Sequence, residues 1–171
     1  MSVFIRQITP RDVALLQDLL VVFGEAFEDA DTYTGKRPHP GYLSQLLASD
    51  YFIALVALKN DEIVGGIAAY ELRKFEQERS EIYIYDLAVV AAHRREGIAT
   101  AMIEELKKIA AVRGAYVIFV QSDIGIEDQP AIELYTKLGK REDVLHFDIT
   151  VEGGIGTAQQ SQCTGTTSKD Q

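Results

Sequence analysis

The sequence predicts an α/β (α+β) domain, and three observations predict it. The middle of the chain holds three consecutive strand-like runs, FIALVALKN (52–60), EIVGGIAAYEL (62–72) and SEIYIYDLAVV (80–90). Helical periodicity flanks them, with Val13, Leu16, Leu19, Leu20 and Phe23 before and an apolar stripe from Ile98 to Ala110 after. A further strand and helix, AYVIFVQSD (115–123) and PAIELYTKLG (130–139), follow that stripe.

VFIRQIT (3–9) reads as an opening strand. Thr9-Pro10-Arg11-Asp12 then predicts a helix start with Thr9 as N-cap, proline in the first turn and an acid three residues after the cap. Residues 24–41 are acidic first and rich in turn formers later, which predicts a loop or broken helix before a short helix over 42–48. Lys59-Asn60-Asp61 offers a hairpin turn. The long apolar stretches of the central runs predict a sheet covered on both faces in places. RKFEQER (73–79) is a charged connection.

Ile98, Ala99, Met102, Ile103, Leu106, Ile109 and Ala110 form one helical stripe, with Gly114 as its stop. Glu104 and Glu105 precede Lys107, Lys108 and Arg113, an order that suits the helix dipole. Pro130 and Gly139 bound the last helix, and VLHFDITV (144–151) predicts a final strand. Beyond Glu152 there is a single large aliphatic residue, too little to offset the entropy of ordering. The expected domain is therefore 3–151, with a disordered tail over 152–171.

A chain of 171 residues, 47% hydrophobic, is long enough to bury one core without disulfides or metals. No apolar run approaches bilayer-spanning length, and MSVFIRQITPRD lacks the basic-then-apolar pattern of a signal peptide, so a cytoplasmic location is expected. The lone Cys163 lies in the polar tail, and His39, His93 and His146 lack metal-ligand spacing. No metal is expected. A net charge of −9 argues against nucleic-acid binding; it suits a polycationic substrate, and equally suits simple solubility.

Against that charge, HRREGIAT (93–100) places two arginines, Gly97 and Ala99 where a strand turns into a helix. A helix N-terminus with unpaired N–H groups is an anion site; Gly97 and Ala99 let the backbone come close, and Arg94 and Arg95 add donors. Taken alone, the hexapeptide reads equally well as an exposed loop that contains arginines. Neither a Walker loop nor a three-glycine dinucleotide fingerprint is present, because Gly65-Gly66 lies inside a strand pattern.

Four parts then coincide: the strand YDLAVV, the Arg-x-x-Gly-x-Ala corner, a strand ending in QSD, and the helix AIELYTKLG. Together they resemble the acetyl-CoA signature of the GNAT acyltransferase superfamily, over residues 3 to about 151. At finer grain KFEQERSEIYIYDLAV, HRREGIATAMI, GAYVIFVQSD, IELYTKLGKRE and HFDI resemble the class I aminoglycoside 3-N-acetyltransferases, or gentamicin acetyltransferases. The loop IGIEDQPA and the tail follow that pattern least.

The resemblance implies a mixed, mostly antiparallel sheet with a splayed central strand pair and flanking helices. It implies acetyl-CoA as co-substrate, an aminoglycoside as acceptor, and pairing of two copies as a homodimer. Leu87, Ala88 and Val89 would pair through their backbone with the pantetheine arm, one amide polarising the thioester carbonyl. Backbone N–H groups of Arg94, Arg95, Glu96, Gly97, Ile98, Ala99 and Thr100 would hold the pyrophosphate. Tyr135 would protonate the departing thiolate, or else is a core tyrosine at helical spacing.

Asp86, beside the expected oxyanion donors, is the candidate base for an amine that is mostly protonated at neutral pH, or else a hydrogen-bonding strand residue. Strict alternation would put it on the face opposite Tyr85 and Leu87, unless a bulge redirects it. Tyr85, Asp123, Glu127, Asp128 and Glu28 are candidate acceptor contacts. Glu25, Asp29 and Asp31 lie beside Glu28 in sequence, and Asp148 is a weaker member of the set. Each acid alone is commonly a solvated surface group. No covalent acyl-enzyme is expected, because no serine or cysteine sits in a triad-like setting. Acetylation of a polyamine or protein amine, and a non-catalytic CoA-binding module, remain as alternatives.

Overall fold

The computed structural model describes residues 2–153. β1 (Phe4–Gln7) leads into α1 (Val13–Ala26), a π-helical turn (Asp31–Gly35) and α2 (Pro40–Ala48). Three long strands follow, β2 (Phe52–Lys59), β3 (Glu62–Arg73) and β4 (Ser80–Val89). Then come a short turn (Ala91–His93), α3 (Ile98–Arg113), β5 (Ala115–Val120), a second short turn (Ile126–Asp128) and α4 (Gln129–Leu138).

The five strands form one sheet in chain order, with β1–β2, β2–β3 and β3–β4 antiparallel and β4–β5 parallel. The hairpin at Asn60 (φ 54°) and Asp61 (φ 65°) has the two left-handed residues that a tight turn matching strand twist requires. The single parallel pair needs a crossover, and α3 supplies it.

The sheet is covered on both faces, as its apolar runs require. Ile53, Leu55, Ile67, Ile82 and Ile84 pack with Met102, Ile103 and Leu106 of α3. Ala54, Val56, Ala68 and Ala88 face Leu16, Leu19 and Phe23 of α1 and Leu43 and Leu47 of α2. Gly66 lets α1 settle onto β3: a Cβ there would lie 2.3 Å from Leu19 Cδ1 and 2.8 Å from the Leu55 carbonyl oxygen.

Two local expectations are corrected. Thr9 is not the N-cap, because α1 begins at Val13. The Asp12 carboxylate accepts from both the Thr9 amide (2.8 Å) and hydroxyl (2.7 Å), while Arg6 holds its other oxygen at 2.9 Å. Those bonds build a separate turn ahead of the helix. The expected final strand over 144–151 is also not formed. Its alternation is strand-like, yet no strand among the described residues pairs with it, and Val144, Leu145, Phe147, Ile149 and Val151 stand exposed. A strand needs an edge to pair with, and pattern alone does not provide one. The tail expectation beyond residue 153 lies outside the described residues.

Candidate active site

The site is built around an irregularity in β4. Opposite β3, Asp86 pairs with Ala68 and Ile84 with Ala69, so Tyr85 is an extra residue. This bulge reverses the alternation: Ile82 and Ile84 face α3, whereas Asp86 shares the α1 side with Ala88. The Tyr33 hydroxyl donates to Asp86 Oδ1 at 2.8 Å. Burial pushes the Asp86 carboxyl above its usual range, and the Tyr33 bond opposes that shift. Asp86 belongs to no ion pair among the described residues.

An aromatic row borders Asp86. Tyr85 meets Tyr70 and Tyr83 edge-on, with centroids 5.8 Å apart in both cases, and Phe119 stacks on Tyr83 at 4.8 Å. Tyr85 is 61% exposed, so this row faces solvent beside the carboxylate. Tyr83 donates to Gln121 Oε1 at 2.9 Å, and His146 reaches the same oxygen at 3.0 Å.

Next to the bulge the sheet opens. Pairing of β4 with β5 ends at Ile84 and Val120, while β4 continues to Val89 along β3. The Val90 amide donates to the Val64 carbonyl, at 2.9 Å, on the β3 side. By two-residue alternation the Ala88 amide also faces β3, and those of Leu87 and Val89 face the open side. Of the three residues expected to offer amides there, two do. The outward Val89 carbonyl accepts from Arg94 Nε at 3.3 Å.

The start of α3 is open. Gly97 is its N-cap at φ 81°, no side chain caps it, and a Cβ on Gly97 would meet nothing within 4 Å. Arg95 is also left-handed, at φ 68°, a strain that commonly marks ligand clamps. Glu96 would repel an anion here, but Lys59 bonds it at 2.9 Å and His93 at 3.1 Å. Those partners hold its carboxyl below the usual range. The free edge of β4, the uncapped turn Ile98–Thr100 and the neutralised Glu96 fit an acyl-CoA, whose pyrophosphate is an anion and whose pantetheine arm carries amides.

Tyr135 packs on the α3-side core, and burial, with Asp128 nearby, pushes its hydroxyl up to about 12. It therefore keeps its proton throughout the neutral range. Asp123, Glu127 and Glu28 are exposed and Asp128 is half-buried. No hydrogen bond or ion pair among the described residues joins the loop 123–128 to the acidic segment 25–31. Asp148 is engaged by His146 Nε2 at 2.9 Å. Among the described residues no cluster of three or more His, Cys, Asp or Glu could hold a metal ion, and no helix is long and apolar enough to cross a membrane.

Sequence reasoning missed Tyr33, Tyr70 and Tyr83 around Asp86, and Lys59 and His93 around Glu96. Tyr33 is 53 positions from Asp86 and Lys59 is 37 from Glu96, with no motif connecting either pair. The contacts arise only when the sheet assembles.

The profile of the acetyltransferase (GNAT) family matches residues 14–140. No curated protein matches the chain. Among solved structures, an aminoglycoside acetyltransferase from an uncultured soil metagenomic sample is 68% identical, with a TM-score of 0.87 over 88% of this chain and 99% of that one. A second such enzyme from an uncultured soil metagenomic sample, solved in complex with sisomicin, is 29% identical, with a TM-score of 0.80 over 88% and 97%. An aminoglycoside N-acetyltransferase in complex with CoA shares the fold at 13% identity, with a TM-score of 0.69 over 88% and 95%. The sheet that splays beside β4, the open N-terminus of α3 and the profile match have one reading: the chain belongs to the GNAT acetyltransferase family, whose members use acetyl-CoA, and aminoglycoside acetyltransferases are among its close structural neighbours.

Proposed function

We propose that this acetyltransferase modifies the 3-amino group of the 2-deoxystreptamine ring in gentamicin-type aminoglycosides, in the cytoplasm and as a homodimer. Loss of that ammonium charge would confer resistance. The observation that carries the reading is Asp86: a half-buried carboxylate without a cationic partner among the described residues, turned by a bulge toward a row of tyrosines and adjacent to two outward amides. A partnerless carboxylate favours a cation, and tyrosine faces attract ammonium groups. The 68% identity to an aminoglycoside acetyltransferase supports the same acceptor class.

When bound, acetyl-CoA supplies an activated acetyl thioester. The amides of Leu87 and Val89 donate to the arm lying along β4, one of them meeting charge that develops on the thioester oxygen. Amides from Arg95 to Thr100 hold the pyrophosphate at the positive end of α3, whereas the Arg94 amide is taken by the Ala91 carbonyl at 3.3 Å. Asp86 binds the acceptor ammonium and takes its proton, leaving a neutral nucleophile. Tyr135 donates a hydrogen bond to the departing thiolate. Tyr85, the exposed acids Glu28, Asp123 and Glu127, and the half-buried Asp128 hold the remaining sugar rings and charges of the polycation.

Release of free thiol across a panel of amines tests this directly. The expected result is turnover with gentamicin and sisomicin, none with spermidine or a peptide amine, and acetylation mapped to N3 in the product. Turnover confined to polyamines or peptides would replace the acceptor. Tight acetyl-CoA binding without thiol release from any amine would make the chain a binding module.

A further inference from the structure

The π-helical turn over Asp31–Gly35 has no part in the transfer as derived so far, yet it is fastened to the centre of the site. We propose that Tyr33 is the positioning residue for Asp86: its hydroxyl occupies Oδ1, fixes the carboxylate toward the acceptor, and leaves Oδ2 to receive the amine's proton. The proposal rests on the reading of Asp86 as base.

An ionised carboxylate only accepts, so the 2.8 Å contact has one polarity, with Tyr33 as donor. It is the only side-chain hydrogen bond that Asp86 makes among the described residues. Among the described residues, the titratable groups beside the carboxylate are phenols: Tyr33 from the π turn, Tyr70 from β3, and Tyr83 and Tyr85 from β4. Of these, Tyr33 alone bonds it. With no cationic partner among the described residues, this one donor opposes the desolvation that would keep Asp86 neutral.

The phenol is itself held in place. Its ring lies 5.9 Å from Phe23 and 5.6 Å from Phe27, and these two stack at 5.8 Å at the C-terminal end of α1. Gly24 makes room, since a Cβ there would stand 3.3 Å from the Tyr33 Cβ. At the base of the turn, the Asp29 side chain accepts from the Thr32 amide at 3.1 Å and its backbone carbonyl accepts from the Tyr33 amide at 3.3 Å. A π turn in place of an α turn changes where its side chains point, and such turns recur at functional sites. Here the result is a continuous packed path from α1 to Asp86.

The test is Tyr33→Phe, which keeps the ring and its packing. Carbon-13 NMR of the aspartate carboxyls in the free protein should show the Asp86 midpoint rising by about one pH unit, because a hydrogen bond to the charged form is lost. The acid limb of kcat/KM should rise by the same amount, and kcat should fall about tenfold with KM for acetyl-CoA unchanged. A merely structural role would move neither midpoint nor limb, so either one standing still overturns the proposal. Asp86→Asn, run in parallel, separates the two readings. Full turnover in that variant ends the base assignment, while the NMR midpoint of Tyr33→Phe still reports on the hydrogen bond.

Discussion

At the residue scale, Asp86, the proposed base, costs stability. Its native pKa lies above the unfolded value of about 3.9, because burial penalises the charge. Between about pH 4 and its raised native value, the native state binds more protons than the unfolded chain, so stability falls as pH rises through that window. Above it the penalty stays constant. Asp86→Asn should therefore raise the melting temperature at pH 7, with the gain vanishing below about pH 4, where both side chains are neutral. A difference that does not change with pH would show that burial of the charge is not its source. Asp12 behaves in the opposite way: its bonds to Arg6 and Thr9 lower its carboxyl to about 2. The stability it gives is present above the unfolded value and is lost as pH falls toward 2.

At the element scale, the corner and the bulge differ in how legible they are in sequence. The corner could be read because its parts are adjacent: Arg94, Gly97 and Ala99 belong to one turn, and a helix start creates its anion site without help from elsewhere. The bulge could only be anticipated, since Tyr85 becomes the extra residue through its register with Ala68 and Ala69 on β3. Tyr33 could not be read at all, because residues 24–41 have no periodicity and only the assembled sheet brings the phenol to Asp86. In the segment 144–151 alternation misled, as it reports a face but not a partner edge. For the corner itself, Gly97→Asp should abolish acetyl-CoA binding by calorimetry, placing a carboxylate where the pyrophosphate is proposed to bind. Arg95→Ala should weaken it less than about tenfold, because that side chain is exposed and 3.8 Å from Glu133. The reverse ranking would mean that side chains, not amides, hold the anion.

At the scale of the whole molecule, two uncovered apolar features follow α3 in the chain. Tyr116 and Val117 of β5 are exposed, and so are the alternating apolar residues of 144–151, with Phe147 at 77% and Ile149 at 88%. A second copy covering both is the homodimer proposed above. Light scattering at micromolar concentration should give twice the monomer mass, and Phe147→Asp with Ile149→Asp should halve it; a monomeric parent protein would contradict the pairing. The molecule as a whole divides its charges. In the proposed function Asp86 takes a cation, while the uncapped start of α3 near the splayed edge takes an anion. That division is the central claim, and Asp86→Asn tests it most directly when turnover and acetyl-CoA affinity are measured on the same preparation. The account predicts that kcat with gentamicin falls at least about 100-fold while the acetyl-CoA Kd stays within about twofold. Unchanged turnover, or loss of acetyl-CoA binding in step with turnover, would contradict it.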